Sequence, residues 1–126
     1  MNYRLGPGAD QAKILGAQAR LGLEFPEPVI ELWSALNGLE VQDPPFQILP
    51  LDAMTLDRGY LVFCMCNRSV RLGFDTRTIN EAGQWNIVNV DSGYRLTLTI
   101  GSFWSMHMWT WVVKWRPIWF APHVSG

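Results

Sequence analysis

Residues 27–38, Glu27-Pro28-Val29-Ile30-Glu31-Leu32-Trp33-Ser34-Ala35-Leu36-Asn37-Gly38, decide how the chain divides. Pro28 suits a first helical turn, where its missing amide has no partner to lose, and Glu27 and Glu31 favour the positive end. Val29, Ile30, Leu32, Trp33 and Leu36 recur with helical spacing and supply one apolar stripe. Asn37-Gly38 then stops the helix, because both residues tolerate the left-handed conformation. Upstream, Asp10 can cap a first helix running to about Leu21, with Ile14, Leu15, Ala17 and Leu21 spaced for one face and Gly22 ending it. Gly6-Pro7-Gly8 before it reads as a flexible lead-in.

From Leu39 onward the apolar period falls from 3.6 to 2. Phe46-Gln47-Ile48-Leu49 reads as a first strand, broken by Pro50. Tyr60 to Cys66 is a nearly unbroken apolar run, which predicts a central strand covered on both faces. Val70, Leu72 and Phe74 alternate with Arg71, Gly73 and Asp75, and Asn67-Arg68-Ser69 is short enough to join the two runs as a hairpin. Trp85 to Val90 is the next strand, Asp91-Ser92-Gly93 a turn, and Tyr94 to Ile100 alternate as the last strand. After Gly101 the helical period returns. Ser102 is placed to cap a helix whose Trp104, Met108, Trp111 and Trp115 share a stripe, and Pro117 ends it. The expected architecture is a single α+β domain spanning residues 1–126. It has two N-terminal helices, a mainly antiparallel sheet of about five strands and a C-terminal helix.

Composition narrows the function. Ten basic residues against eleven acidic ones leave a formal charge of −1, and the basic residues are scattered, so direct nucleic-acid binding is not expected. No apolar run approaches the roughly 20 residues that span a bilayer, and the N-terminus lacks a signal-peptide pattern, which points to a cytoplasmic protein. Cys64 and Cys66, two apart on a strand, share one face with Cα atoms roughly 6.5–7 Å apart, the limit of disulfide geometry. They are expected to be buried free thiols.

Residues 21–38 resemble the opening signature of the SUKH superfamily: a helix closing on Leu21-Gly22, an apolar residue followed by proline at Phe25-Pro26, a second helix, and Asn37-Gly38. The likeness continues in order through Phe46 to Asp52, which contains Leu49-Pro50-Leu51, then Gly73-Phe74-Asp75, and last Ser102-Phe103. It covers roughly residues 10 to 113. The resemblance implies an α+β fold and, in bacteria, an immunity role: a cytoplasmic protein that binds and blocks a cognate protein toxin, commonly a nuclease. A fungal branch implies a regulatory interaction module instead.

The chain carries no nucleophile elbow, phosphate loop or zinc-protease motif. Its two histidines, His107 and His123, are read as structural or solvent-facing, so no catalytic residue, metal ligand or cofactor site is assigned. Two surfaces are candidates for a partner. One is acidic: Glu40, Asp43, Asp52 and Asp57, expected on loops between the second helix and the central strand, with Asp91 on a later turn, able to engage a basic cleft. The other is aromatic and basic: Trp109, Trp119 and Arg116, residue types that dominate interface hot spots. The alternatives for that segment are core packing or a homodimer seam. A small-ligand or hydrolase pocket lined by Trp and Met is a further reading.

Overall fold

The computed structural model of the chain describes residues 3–42 and 45–108. In order they form β1 (Tyr3–Leu5), α1 (Gln11–Leu21), α2 (Glu27–Ala35), β2 (Leu39–Gln42), β3 (Pro45–Ile48), a single 3₁₀ turn (Leu51–Ala53) and β4 (Thr55–Asp57). There follow β5 (Tyr60–Cys66), β6 (Val70–Asp75), β7 (Asn86–Asn89), β8 (Arg95–Thr97) and α3 (Ile100–Ser102), which runs on as a π-helix (Phe103–Met108). The class is α+β, as expected. All strand pairings are antiparallel, in the order β1-β2-β3-β5-β6-β7-β8, with β4 pairing the first half of β5 beside β3.

The sheet has eight strands where the apolar pattern predicts about five. The three additions, β1, β2 and β4, are three or four residues long, too short for a period to declare itself. Gly6-Pro7-Gly8 is no flexible lead-in. Gly6 N–H donates to Gly38 O at 2.8 Å and Asn37 N–H to Pro7 O at 3.2 Å. A Cβ on Gly6 or Gly8 would overlap the carbonyl oxygen of Asn37 or Ser34, so only glycine lets this segment lie along the end of α2.

The caps follow the residue chemistry, with exceptions. Asp10 accepts from the Lys13 amide, and Gly22 closes α1 in the left-handed region at φ 68°. On α1 the buried face carries Ile14 and Ala17, while Leu15 lies about 100° round from Ile14 and is exposed. Helix α2 ends at Ala35 because Leu36 turns extended at φ −148°, before Asn37-Gly38 is reached. Asn37 has other work: its Oδ1 accepts the Leu51 amide at 2.8 Å, tying the helix exit to the 3₁₀ turn. Thr99, rather than Ser102, caps the last helix, accepting from the Ser102 amide at 2.9 Å and shortening the strand before it.

Both long helices pack on one face of the sheet. The core gathers Phe25, Trp33, Phe63, Phe74, Trp85 and Phe103, with Trp33 edge-on to Phe63 and Phe74 at 5.9 and 6.1 Å and Phe63 stacked on Phe74 at 4.1 Å. Edge-to-face and offset pairs suit the ring quadrupoles and add about 0.5–1.5 kcal/mol each to area burial. A bulge between Val62 and Cys64 turns both Phe63 and Cys64 into this core. Trp33 is fully buried, and its indole N–H finds Leu49 O at 2.9 Å. Replacing Trp33 with Phe strands that carbonyl and opens a void. Chemical denaturation should show a loss of about 1–3 kcal/mol or more.

Candidate functional site

On the other face the strand register sets out a second, smaller arrangement. Asp57, Tyr60, Asp75 and Asn86 align across β4 to β7, and Val62, Gly73 and Val88 align in the next row. Arg71 stands one row further, opposite Met65. Val62, Val88 and Val90 are buried, at 4%, 4% and 1% exposure, yet belong to no part of the helix-covered core. Gly73 makes room for them: a Cβ there would lie 2.9 Å from Val90 Cγ2 and 3.0 Å from Leu61 O.

Over these valines lies a lattice of arginines and carboxylates. Arg71 reaches back along β6 and bridges Asp57 at 3.0 Å and Asp91 at 2.7 Å. Arg58 donates to Asp57 at 3.1 Å and to Val90 O at 3.0 Å, which holds it at φ 55° in the tight turn before β5. Arg77 grips Asp75 through Nε at 2.8 Å and Nη2 at 2.9 Å, and donates to the Tyr60 hydroxyl at 3.2 Å. The guanidinium carbons of Arg77 and Arg58 stand 4.9 and 6.0 Å from the Tyr60 ring centre, within cation–π range.

Hydrogen bonds from Arg58 and Arg71 hold the Asp57 carboxyl below its ordinary range, and those from Arg77 do the same for Asp75. The reciprocal bonds from Asp91 and Asp57 raise Arg71, and those from Asp75 raise Arg77. Three arginines and three aspartates therefore form a charge-balanced patch with pinned side chains. Pinning matters for binding, because ordering a long side chain at an interface costs about 0.5–1.5 kcal/mol.

The expected acidic residues fall in separate settings: Glu40, Asp52 and Asp57 lie on regular elements rather than loops, whereas Asp91 lies on a turn, as expected. Glu40 sits on β2 and pairs with Arg4 at 3.4 Å. Asp52 is exposed on the 3₁₀ turn, beside a hollow shared with Lys13 and Arg20. Asp57 and Asp91 are brought together, but by Arg71, which removes the unpaired acidic character expected of them. Asp43, Trp109, Arg116 and Trp119 lie outside the described residues, as do Trp111, Trp115 and His123. Sequence reasoning missed Arg58, Tyr60 and Arg77. The readable signal was Asp57-Arg58-Gly59-Tyr60, a two-residue hairpin turn with an arginine where asparagine is usual.

Among the described residues no group of three or more His, Cys, Asp or Glu is placed to hold a metal, and no helix is long and apolar enough to cross a membrane. No protein-family model, curated protein or solved structure matches the chain.

Two outcomes test the lattice. A carboxyl held below its ordinary range contributes stability that is present above the unfolded-state value and lost as pH falls through the folded one. The denaturation midpoint should therefore decline as pH drops below about 3.8, and the Asp57→Asn, Asp75→Asn double variant should show a shallower decline. Gly73→Ala should destabilise by about 1–3 kcal/mol, because neither Val90 nor the Leu61 carbonyl can retreat freely.

Proposed function

We propose that this chain is a non-enzymatic protein-binding domain of the immunity type, which holds and blocks a cognate protein toxin in the cytoplasm. The observation that carries the reading is the way the SUKH-like segments meet. Asn37 of the Asn-Gly step accepts the Leu51 amide of the Leu-Pro-Leu step at 2.8 Å. Gly38 lies with its Cα hydrogen side toward the Pro50 ring, where a Cβ would be 3.4 Å away. Trp33 between the two prolines and the Asn-Gly step donates to Leu49 at 2.9 Å. Phe74 and Phe103, from the two remaining segments, join the same aromatic core. Segments that read as an ordered signature along the chain are thus one set of contacts in space.

The partner surface is the lattice around Tyr60. Tyr and Arg are the residue types that carry interface energy when they are held rigidly, and here each guanidinium is already anchored. Charge balance makes the surface a reader of pattern rather than of net charge, so it selects a partner by matched donors and acceptors.

The test is protection. If the gene immediately upstream encodes a toxin, the chain co-expressed with it should restore growth and copurify with that toxin in equal amounts. Arg58→Ala combined with Arg77→Ala should weaken the complex by about 30-fold or more, the effect of a lost 2 kcal/mol hot spot, in a chain that still unfolds cooperatively well above the assay temperature. Growth that the wild-type chain fails to restore overturns the immunity reading. Protection that survives the double substitution moves the partner to another face.

A further inference from the structure

The cysteines of β5 belong to the helix-covered core, on the opposite face of the sheet from the arginine–aspartate lattice. Cys64 and Cys66 point into the same side of the sheet, with their sulfurs 4.0 Å apart. Both are free thiols. Cys64 is fully buried, whereas Cys66 also forms part of the wall of a groove of about 430 Å³, together with Phe46, Val70, Leu72, Leu96 and Phe103. Burial pushes the Cys64 thiol up, and the hydrogen bond it makes to Cys66 lowers the latter, so Cys66 is the better nucleophile as well as the reachable one.

The spacing excludes some chemistry and suits other. A disulfide needs the sulfurs at about 2.05 Å, which the extended backbone between positions two apart resists. An atom bonding both sulfurs asks for a far smaller approach: two bonds of about 2.3 Å, the length of a zinc–thiolate bond, at the roughly 100° angle of a pyramidal trivalent centre, place the sulfurs about 3.5 Å apart against the 4.0 Å seen. Zinc itself takes four ligands, and the described residues offer no such set here. A monovalent soft ion held by two thiolates would leave a net negative charge in an apolar core, which is costly. A trivalent centre that forms two bonds to sulfur and ends neutral, with an apolar third substituent, meets the charge condition and needs the sulfurs to close by only about half an ångström.

We propose that Cys66 and Cys64 form a dithiol site for monosubstituted trivalent arsenicals, with the apolar substituent lying in the groove. The step is a condensation. The two thiols form two arsenic–sulfur bonds, the arsenic–oxygen bond of R–As=O breaks, and both thiol protons leave with that oxygen as one water. No oxidation state changes. Cys66 bonds first from the groove and Cys64 closes the chelate.

The experiment uses the full chain and phenylarsine oxide, read by intact mass and by competition with thiols. One phenylarsenic group per chain is expected, gained with loss of one water, retained in excess monothiol and released by 2,3-dimercaptopropanol. Cys64→Ser and Cys66→Ser should each weaken retention by about 100-fold, the usual loss when a chelate becomes a single attachment. Cys64→Ala and Cys66→Ala keep both positions apolar and serve if the serine variants do not fold. No uptake by the native chain, uptake only after denaturation, or equal retention by single-cysteine variants overturns the site.

Discussion

The Trp33 indole is the constraint on which the rest of the domain depends. Among the described residues it is the largest fully buried side chain, and it carries one polar hydrogen that must be satisfied out of water. The geometry seen meets both demands, with rings packed edge-on against Phe63 and Phe74 and the N–H spent on the carbonyl of Leu49. That single bond fixes where the chain leaves β3. From there Pro50 packs near Gly38, Leu51 reaches Asn37, and Arg20 of α1 donates to the Leu51 and Met54 carbonyls at 2.7 and 3.2 Å. Helices, 3₁₀ turn and sheet are thus locked by the side chains of Trp33, Asn37 and Arg20, which satisfy backbone groups of the segment 49–54.

The sequence made the long elements legible and left the short ones hidden. Asp10 acts through a side chain that reaches only its own helix, and Gly22 and Pro28 through their backbone, so their effect on α1 and α2 can be read without knowing the fold. The unbroken run at β5 is similarly plain, because burial on both faces leaves no polar alternation to obscure it. Strands β1, β2 and β4 take their conformation from their neighbours, and three residues cannot show a period. Asn37 misleads for a related reason: a residue suited to ending a helix is instead recruited by an amide 14 positions away.

The candidate surface was harder still. Asp57 and Asp91 were visible as carboxylates, but whether a carboxylate is bare or paired depends on which arginine the register delivers to it. Arg71 reaches both because the register sets β6 beside β5, which carries β4 and Asp57 on its far side, and beside β7, which leads into the turn with Asp91. Linear spacing holds no trace of that. Charge read along the chain suggested an acidic patch, whereas charge read across the sheet is balanced.

The order of the strands also bears on how the chain assembles. Every pairing except that of β1 joins segments that are neighbours along the chain or separated by one short excursion. Strand β1 reaches β2 only across both helices, matching Leu5 with Leu39, so its closure carries the largest entropy cost in the sheet. The β2–β3 hairpin and the meander from β5 to β8 can form from local contacts, which favours speed. The amino-terminal strand is then a latch: it seals an edge that the rest of the sheet has already built, and it is the part whose release would leave the core standing.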